Sequence, residues 1–419
     1  MKHTLFSTLR ELKGNQRACV YTEPLWGLSM NLCMPYIPVY MLALGLNDTQ
    51  VGFLVTINVL MQMVFSFFSG PLTDKMGRRK STAVFDLIGW SIPCLIWWRA
   101  EGFWFFLTAA VINGANGVTS NSWHCLLVED AEKKQITKIY SIVIAFGQLS
   151  AVFAPISSLL ISKLTLVPAI RILYINGFIL MTLKIIILYF ASKETEMGKT
   201  RIAETQGKNI FQLAGGNGDI IKIIIKSRGT VFAIVIAALG WIVQTINIAF
   251  WPIIANKKLL VPEAILPFFY VFRSGLAIFF LFFVIPRFLK GLLKVPLILA
   301  FISYFTGQLL LILIPADSVL KYPLICVSLL FDSFGLGVLM TLCESLIAIH
   351  VNKNERARIM GLRFMFMMIA ASPFGWIGGM LSDISRNLPF VLNLFILAIG
   401  LVVTLIYYRK ENDHSAEHS

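Results

Sequence analysis

The stretch that decides the fold is Ser69–Lys80, SGPLTDKMGRRK, which places five charged residues within seven positions. Apolar runs flank it on both sides, so these charges lie at a short break between two hydrophobic segments. Basic residues at such a break are typical of the signal that orients a membrane protein. That signal does not explain Asp74, which lies between Gly70 and Gly77. The segment therefore indicates a function in addition to orientation.

The composition points to a protein whose main solvent is the lipid bilayer. Of its 419 residues, 57% are apolar and 14% are charged, and the mean hydropathy is +0.77. Soluble domains carry about 25% charged residues. The formal net charge of +14 is explained by basic residues at helix ends, and no basic patch is interleaved with aromatic residues. We expect a lipid bilayer, and no nucleic acid, as a partner.

The cysteines and the short motifs predict no metal site and no cofactor. None of the six cysteines forms a CxxC pair, and nearly all lie in apolar runs as small hydrophobic residues. No G-x-x-x-x-G-K-[ST] motif for nucleotide phosphates is present. The polar, basic start of the chain predicts no cleavable signal peptide, because it lacks a long apolar core.

Hydrophobic runs of about 20 residues predict an all-α membrane protein with twelve transmembrane helices. The predicted spans are 18–45, 51–69, 81–98, 103–128, 138–162, 168–191, 230–254, 264–286, 293–315, 322–349, 358–383 and 387–408. One long polar segment separates the sixth span from the seventh, and a surface helix is expected near Asp219–Lys226. The predicted domains are an N-terminal six-helix bundle (1–192), a cytoplasmic linker (193–228), a C-terminal six-helix bundle (229–408) and a cytoplasmic tail (409–419).

The lysines and arginines predict how these spans are oriented. With the N-terminus inside, 26 of the 36 lysines and arginines fall in inner segments and six in outer loops. This bias predicts a multi-pass protein of the plasma (inner) membrane with cytoplasmic N- and C-termini. The two halves of the chain also resemble each other. Residues 121–146 and 341–366 each contain the end of a long span, a charged loop and a basic residue at the start of the next span. Parallel six-span repeats are typical of secondary transporters.

The opening stretch resembles motif A of the major facilitator superfamily, which reads roughly G-x-L-x-D-x-x-G-R-[RK]-[RK]. The matching residues are Gly70, Leu72, Asp74, Gly77, Arg78, Arg79 and Lys80. The stretch also lies where that family has it, in the inner loop between spans two and three. The resemblance implies twelve helices in two six-helix bundles related by pseudo-two-fold symmetry, transport by alternating access, and a monomer.

The resemblance also implies that the stretch is a latch on the inner gate. Asp74 is expected at the N-terminus of span eleven, near Arg358, where a helix dipole favours an anion. Arg78 and Arg79 are expected to pair with acids at the foot of another span. Glu129 and Asp130 are the candidates. Gly70 and Gly77 are expected to allow a tight turn and close helix approach.

Three departures from the family pattern bear on the direction of transport. The matching stretch of the second half, VIPRFLKGLLK (284–294), lacks the aspartate. Span four carries no arginine in VINGANGVTSNSWHC, unlike proton-driven drug exporters, and SAVFAPISS in span five lacks the glycines of the antiporter motif. The last two departures favour uptake by symport over efflux.

Ionisable residues within the spans are candidates for function because they are costly in lipid. Arg273 and Asp332 lie nearest the midplane, where they can bind a solute or pair with each other. The candidate proton carriers are Glu23, Asp332 and Glu344, in that order, and His124 is added because it corresponds to Glu344 in the other half. Asp86 and Lys184 also lie within spans. The sequence places Asp86 near the inner face and allows Lys184 to reach the inner surface.

Polar side chains at helical spacing predict a solute site. Asn113, Asn116, Ser120 and His124 share one face of span four. The same spacing relates residues of span seven, and aromatic side chains lie in these spans. The predicted solute-binding residues are Trp26, Asn31, Asn58, Asn113, Asn116, Ser120, Gln244, Asn247, Trp251, Arg273 and Asp332. The alternative for the amides is hydrogen bonding between helices.

These observations predict a secondary active transporter of a small organic solute, coupled to an ion, with the proton expected. Uptake of a sugar-like solute is favoured, because aromatic faces beside amides suit a sugar ring. The alternative is proton-coupled efflux of drugs or other small molecules. A nontransporting membrane sensor is a remote alternative. An enzyme is not expected, because no acid, base and nucleophile cluster near the bilayer surface.

Overall fold

The computed structural model describes residues 9–214, 227–288, 293–350 and 356–417, and every regular element in these ranges is a helix. The helices before residue 215 are α1 (Gly14–Cys33), α2 (Ile37–Ala43), α3 (Asp48–Met76), α4 (Arg78–Asp86), α5 (Ile92–Arg99), α6 (Phe103–Asn113), α7 (Asn116–Val128), α8 (Lys133–Ser150), α9 (Pro155–Leu164), α10 (Leu166–Ala191), α11 (Glu196–Glu204) and α12 (Ile210–Ala214). The later helices are α13 (Arg228–Ile253), α14 (Leu266–Phe279), α15 (Ile285–Phe288), α16 (Lys294–Leu313), α17 (Lys321–His350), α18 (Arg356–Ile384) and α19 (Leu388–Glu417).

Ten helices within the described residues are long and apolar enough to cross a membrane. They are Asp48–Met76, Arg78–Arg99, Lys138–Leu164, Leu166–Ala191, Arg228–Lys258, Glu263–Arg287, Lys294–Leu313, Lys321–Cys343, Phe364–Ile384 and Leu388–Arg409. The other two predicted spans, 18–45 and 103–128, are each divided into shorter helices, α1 with α2 and α6 with α7. The count of twelve and the pseudo-two-fold symmetry therefore stay predictions.

The chain forms two compact units. Unit 1 comprises Met1–Leu46 and Ile57–Asn217, and unit 2 comprises Asn47–Thr56 and Gly218–Ser419. The N-terminal part of α3 thus belongs to unit 2, where the amides of Asp48 and Thr49 donate hydrogen bonds to the carboxylate of Asp383 in α18 (3.1 and 3.0 Å). A carboxylate at the start of a helix satisfies amides that have no partner within the helix.

Several long helices are interrupted inside the apolar segments. Pro24 lies within α1, and a proline in a helix removes one backbone hydrogen bond. A π-helical turn at Leu87–Ser91 joins α4 to α5, and another at Phe280–Val284 joins α14 to α15. A third, at Ile254–Lys258, extends α13. Such turns occur frequently at functional sites.

The motif-A stretch is helical over most of its length, contrary to the expected loop. Helix α3 continues to Met76 and α4 starts at Arg78, so Gly77 is the whole break. Gly77 has φ of 83°, a conformation that glycine adopts without strain. The turn expected at Gly70 is wrong, because Gly70 lies inside α3. A Cβ atom there would meet no described atom within 4 Å, so close helix approach does not explain this glycine.

The first part of the predicted linker is folded and packs on unit 1. Helix α11 begins after Thr195, whose hydroxyl accepts a hydrogen bond from the amide of Gly198 (2.9 Å). Phe211 of α12 makes an edge contact with Phe68 of α3 (ring centroids 5.6 Å apart). The surface helix expected near Asp219–Lys226 lies outside the described residues. Residues 196–204 and 210–214 are therefore helices that the sequence pattern does not predict.

Large apolar side chains cover the outside of the helices. The most exposed of them within the predicted spans include Trp104, Phe190 and Phe395, which are 74%, 78% and 65% exposed. A soluble protein rarely leaves so many large apolar side chains in water. Their exposure is the pattern expected of helices that face lipid.

Candidate functional site

The motif-A segment forms an ion-pair cluster with the foot of α7. The Arg78 guanidinium, whose side chain is 5% exposed, donates to the Glu129 carboxylate through Nε and to Asp74 through Nη1 (3.0 and 2.9 Å). Thr195 donates to the same Glu129 carboxylate (2.5 Å). The pairing of Arg78 with Glu129 is thus as expected. The cluster joins α3, α4, α7 and the linker within unit 1.

Arg79 and Asp130 do not pair with each other. The Arg79 guanidinium lies over the ring of Tyr189, 4.0 Å from its centroid, and donates to the Tyr189 carbonyl. Asp130 instead accepts from the side chains of Asn15 and Gln16 in α1. The expectation that Asp130 pairs with a motif-A arginine is therefore wrong. The side chain of Arg358, expected near Asp74, lies outside the described residues.

Glu194 contacts the motif-A segment, a contact that the sequence pattern does not assign. It is half-buried and follows α10, and its carboxylate accepts hydrogen bonds from the amides of Arg78 and Arg79 (2.9 and 3.1 Å). It therefore caps the first turn of α4 from another part of the chain. The acidic tract SKETE after span six was the sequence signal for such a contact. The sequence could not identify the partner, because Arg78 lies 116 residues away along the chain.

Three of the predicted solute-binding amides are bonded to neighbouring helices in unit 1. Asn58 donates to Asn113 (2.8 Å) and Asn113 donates to the carbonyl of Gly89 (2.6 Å). Gln62 donates to Asn116 (2.5 Å). For these residues the geometry agrees with hydrogen bonding between helices. Asn113 and Asn116 are buried, so they offer little surface to a solute.

Two further predicted residues of this face, which lie on α7, are exposed. Ser120 and His124 are exposed within unit 1, and the His124 ring contacts Trp123 and Tyr140 (centroids 5.2 and 5.6 Å away). Glu344, its expected counterpart in the second half, has a side chain outside the described residues. On α1, Asn31 donates to the carbonyl of Gly27 (2.7 Å).

A buried ion pair lies deep in unit 1. Lys184 of α10 donates to Asp86 of α4 (3.1 Å), and the two side chains are 6% and 2% exposed. The other carboxylate oxygen of Asp86 has no hydrogen-bond partner among the described residues. Glu23 of α1 is half-buried and lies within electrostatic range of both. Trp26, one turn after Glu23, meets Trp90 edge-on (5.7 Å).

A chain of buried polar groups crosses unit 2. Asp332 accepts from Gln308 (2.8 Å), and Gln308 accepts from Asn393 (2.9 Å). Asn393 also donates to Asn247 (3.4 Å), which donates to the hydroxyl of Tyr304 (2.9 Å). Each of the five is at most 1% exposed. The chain joins α13, α16, α17 and α19 within their apolar segments.

The sequence assigns two members of this chain, Asn247 and Asp332, to the solute site. It does not assign Gln308, Asn393 or Tyr304. The available signal was a single amide within each of the apolar segments that became α16 and α19. An amide side chain that is buried within the membrane needs a hydrogen-bond partner, but the sequence does not identify which residue that partner is.

An aromatic cluster lies beside this chain. The Trp251 ring, 2% exposed, contacts Phe269 and Tyr270 of α14 (5.8 and 6.0 Å). The indole N–H of Trp251 is buried without a partner among the described residues. Arg273, one turn after Tyr270, is half-buried and lies within electrostatic range of Asp332. Within the described residues, Arg273 makes no hydrogen bond to Asp332. Gln244 of α13, another predicted solute-binding residue, is half-buried.

Two surface cavities flank the linker in unit 1. One, of about 570 Å³, includes Lys13, Asp130 and Lys199 in its lining. The other, of about 290 Å³, includes Asp74 and Arg201. Neither is lined by a predicted solute-binding residue.

The sequence model of the Major Facilitator Superfamily matches residues 25–320. This chain belongs to the major facilitator superfamily. Membership makes it a multi-pass membrane protein of a transporter family. The motif-A cluster around Arg78 and the buried polar chain around Asp332 are therefore features of a member of that family.

Two curated relatives match parts of the chain. The quinolone resistance protein NorA of Staphylococcus aureus is 33% identical over 87 residues, which is 21% of this chain and 22% of that protein. The uncharacterized MFS-type transporter YqjV of Bacillus subtilis (strain 168) is 24% identical over 137 residues, 32% of each chain. The matches thus span about a third or less of the relatives' length.

Solved structures resemble the whole chain. The nucleoside transporter NupG superposes with a TM-score of 0.73 at 13% identity, covering 95% of this chain and 99% of that one. A POT family transporter in complex with 5-aminolevulinic acid gives 0.71 at 12% identity, covering 96% and 98%. At these identities the likeness shows the fold alone.

Proposed function

We propose that the protein is a proton-coupled secondary transporter that moves a small organic solute across the plasma membrane by alternating access. The observation that carries the proposal is the buried polar chain of Asp332, Gln308, Asn393, Asn247 and Tyr304. Polar groups and above all a carboxyl group are costly inside a membrane protein and mark solute or proton sites. Both termini are proposed to be cytoplasmic and the protein to be a monomer.

Asp332 is the proposed proton carrier of unit 2. Its Oδ2 accepts from Gln308, while its Oδ1 has no hydrogen-bond partner among the described residues. A proton on Oδ1, or a donor group of the solute, would satisfy this oxygen. Gln308, Asn393 and Asn247 transmit the change to Tyr304, because each amide orients the next. A proton on Asp332 that aligns this chain of side chains for the solute makes the two bind together, which is the coupling that symport requires.

The surroundings favour a polar solute with a ring, taken up by symport. Trp251 and Asn247 lie one turn apart on the same helix and are buried in this structure, so a solute would reach the aromatic face and the unpartnered N–H of Trp251 only after the surrounding helices separate. Arg273 adds a positive charge that no carboxylate neutralises by direct contact in the described residues. A sugar or a related hydroxylated ring would use the ring face and the polar edge together.

A ligand screen followed by a transport assay tests the proposal. Sugars, amino acids, organic acids and lipophilic cations are added to the purified protein, since a ligand at 100 times its Kd adds about 2.7 kcal/mol of stability. The stabilising solute is then used in proteoliposomes for accumulation driven by a pH gradient and for counterflow without one. Asp332→Asn is expected to lose gradient-driven accumulation and to retain counterflow.

The control is Asp317→Asn, which removes an exposed carboxylate of the same unit. It is expected to behave as the unmodified protein in both assays. Normal accumulation by Asp332→Asn would refute proton coupling at this residue. Loss of counterflow as well would assign Asp332 to solute binding instead.

The inner gate is proposed to be the cluster of Asp74, Arg78 and Glu129. The guanidinium of Arg78 holds two carboxylates of different segments, so a helix movement that separates them breaks charge-assisted bonds. Asp74→Ala is expected to slow transport without abolishing solute binding. Full transport by this variant would refute the gate.

Efflux of amphipathic compounds is the second candidate function. The local similarity to the quinolone resistance protein NorA favours it. The hydrogen bond between Asn58 and Asn113 also favours it, because two of the amides proposed to bind a sugar bond to each other instead. Inverted membrane vesicles, with a fluorescent lipophilic cation added to the surrounding medium, distinguish the two. Accumulation of the cation that collapses with the proton gradient would support efflux, and saturable sugar counterflow without it would support uptake.

A further inference from the structure

Three charged side chains of unit 1 meet at one depth inside the apolar bundle. Asp86 lies eight residues after the start of α4, Glu23 nine after the start of α1, and Lys184 seven before the end of α10. At 1.5 Å per residue these separations are about 12, 13 and 10 Å. The three therefore form a layer, although they come from the first, third and sixth predicted spans.

The layer contains two carboxylates and one ammonium group. Lys184 is hydrogen-bonded to Asp86 Oδ2 (3.1 Å). Asp86 Oδ1 has no partner among the described residues, and Glu23 makes no hydrogen bond or ion pair within those residues. Lys184 nevertheless interacts electrostatically with both acids and with Cys19, one turn before Glu23. A buried site with one cation for two acids is balanced when one acid carries a proton.

The helices that carry the two acids are each interrupted beside them. Pro24 follows Glu23 in α1, so the carbonyl of Val20 lacks its helical donor. The π-helical turn Leu87–Ser91 follows Asp86. Helix interruptions of both kinds allow one half of a helix to move against the other. Trp26 and Trp90, one turn beyond each acid, are in ring contact.

Other titratable groups on the helices around α1 have different surroundings. His124 of α7 and Tyr140 of α8 contact each other, and Lys138 at the start of α8 is exposed. Arg171 of α10 donates to the Ala100 carbonyl far from the layer. The charged groups that act on Glu23 are thus Lys184 and Asp86.

We infer that Glu23, Asp86 and Lys184 form a proton-gated switch in which Lys184 exchanges between two carboxylate partners. When Glu23 carries a proton, Lys184 binds Asp86, as in this structure. When Glu23 releases the proton, its charge draws Lys184 from α4 toward α1. The exchange moves α10 relative to the interrupted segments of α1 and α4. The inference deepens the proposed proton coupling and rests on it for its place in transport.

Labelling with N,N′-dicyclohexylcarbodiimide tests the switch. This apolar reagent reacts with protonated carboxyl groups: the acid proton passes to one nitrogen while the carboxyl oxygen adds to the carbon of the same C=N bond. The acyl group then moves from that oxygen to the other nitrogen, breaking the acyl C–O bond and forming a C–N bond, and the resulting N-acylurea retains every atom of acid and reagent. The full chain in detergent is labelled over a range of pH, and mass spectrometry locates the adduct. We expect labelling of Glu23 that falls as pH rises, and none of Asp86, whose Oδ2 is bonded to Lys184.

Two variants separate a switch from a static ion pair. In Asp86→Asn, Lys184 has Glu23 as its remaining acid, so Glu23 labelling is expected to fall about tenfold, which corresponds to about 1.4 kcal/mol of added interaction. In Lys184→Gln, Asp86 loses its cation and is expected to become labelled. Lys184→Arg keeps the charge and is expected to label as the unmodified protein. Glu101→Gln, an exposed site, is the control for nonspecific effects.

Unchanged Glu23 labelling in Asp86→Asn would overturn the inference, as would equal labelling of both acids in the unmodified protein. If Asp86→Asn does not fold, the appearance or absence of Asp86 labelling in Lys184→Gln decides. Labelling requires neither a solute nor a gradient. A protein that transports but shows no switch at Glu23 is therefore distinguished from one that switches but fails the transport assay.

Discussion

Replacement of Glu194 by alanine gives the sharpest test of how the motif-A segment is held. The Glu194 carboxylate accepts the amides of Arg78 and Arg79 at 2.9 and 3.1 Å, at the start of α4. Loss of a side-chain cap costs about 0.5–2 kcal/mol, and a charge at a helix N-terminus adds about 0.3–1 kcal/mol. Water can replace part of the contact, because Glu194 is half-buried. We therefore expect a loss of about 2 kcal/mol in the free energy of local opening.

Hydrogen exchange followed by mass spectrometry measures that local free energy in the intact protein. A loss of about 2 kcal/mol corresponds to about 30-fold faster exchange of the amides in the first turn of α4. Glu194→Gln keeps an acceptor oxygen without the charge and is expected to show an intermediate rate. Glu196→Ala removes an exposed acid of α11 that pairs with Lys199. It is expected to leave α4 unchanged.

A rise of less than about threefold in Glu194→Ala would refute the reasoning, because it would mean an effect below about 0.7 kcal/mol. The same result would show that Arg78 and Glu129 hold the start of α4 without the cap.

Three further predictions follow from close contacts. Gly77→Ala combines a φ of 83° with a Cβ atom that would approach Glu194 Oε2 to 2.5 Å. We expect it to destabilise unit 1 by about 1–2 kcal/mol or more, seen as a lower Tm. The control is Gly70→Ala, which is not expected to lower Tm, because Gly70 lies inside α3 with space for a Cβ atom. Asp383→Asn weakens the bonds to the first amides of α3 in unit 2; exchange of the amides of residues 48–50 is expected to accelerate, and an unchanged rate would contradict the cap. Gly307→Ala places a Cβ atom against Asp332 Oδ1 and Ser328. It is expected to lower Tm, whereas an unchanged Tm would mean that α16 and α17 separate at little cost.

The sequence predicted the class of the molecule because the bilayer imposes a strong and local requirement. A span needs about 20 apolar residues whatever its neighbours are, and ten such helices are present in the described residues. The motif-A residues and the Arg78–Glu129 pair were also predictable, since the family pattern carries them. The division of 18–45 and 103–128 into shorter helices was not predicted from hydrophobicity.

The tertiary structure decided which polar side chains are hydrogen-bonded to each other. Helical spacing places Asn113 and Asn116 on one face of a span, but it does not say that Asn58 and Gln62 of another helix lie opposite. Lys184 and Asp86 are 98 residues apart, and Glu194 is 116 residues from the amide of Arg78 that it caps.

By itself, the sequence determined the helical membrane fold, the motif between its second and third predicted spans, and the set of polar side chains that need a partner inside the membrane. It did so because the hydrophobic effect and helical periodicity act over a few neighbouring residues. Only the tertiary structure decided that Asp332 is bonded to Gln308 and that Lys184 is bonded to Asp86. The reason is that a buried hydrogen bond depends on distance and direction between helices, and neither is encoded in the order of residues along one helix.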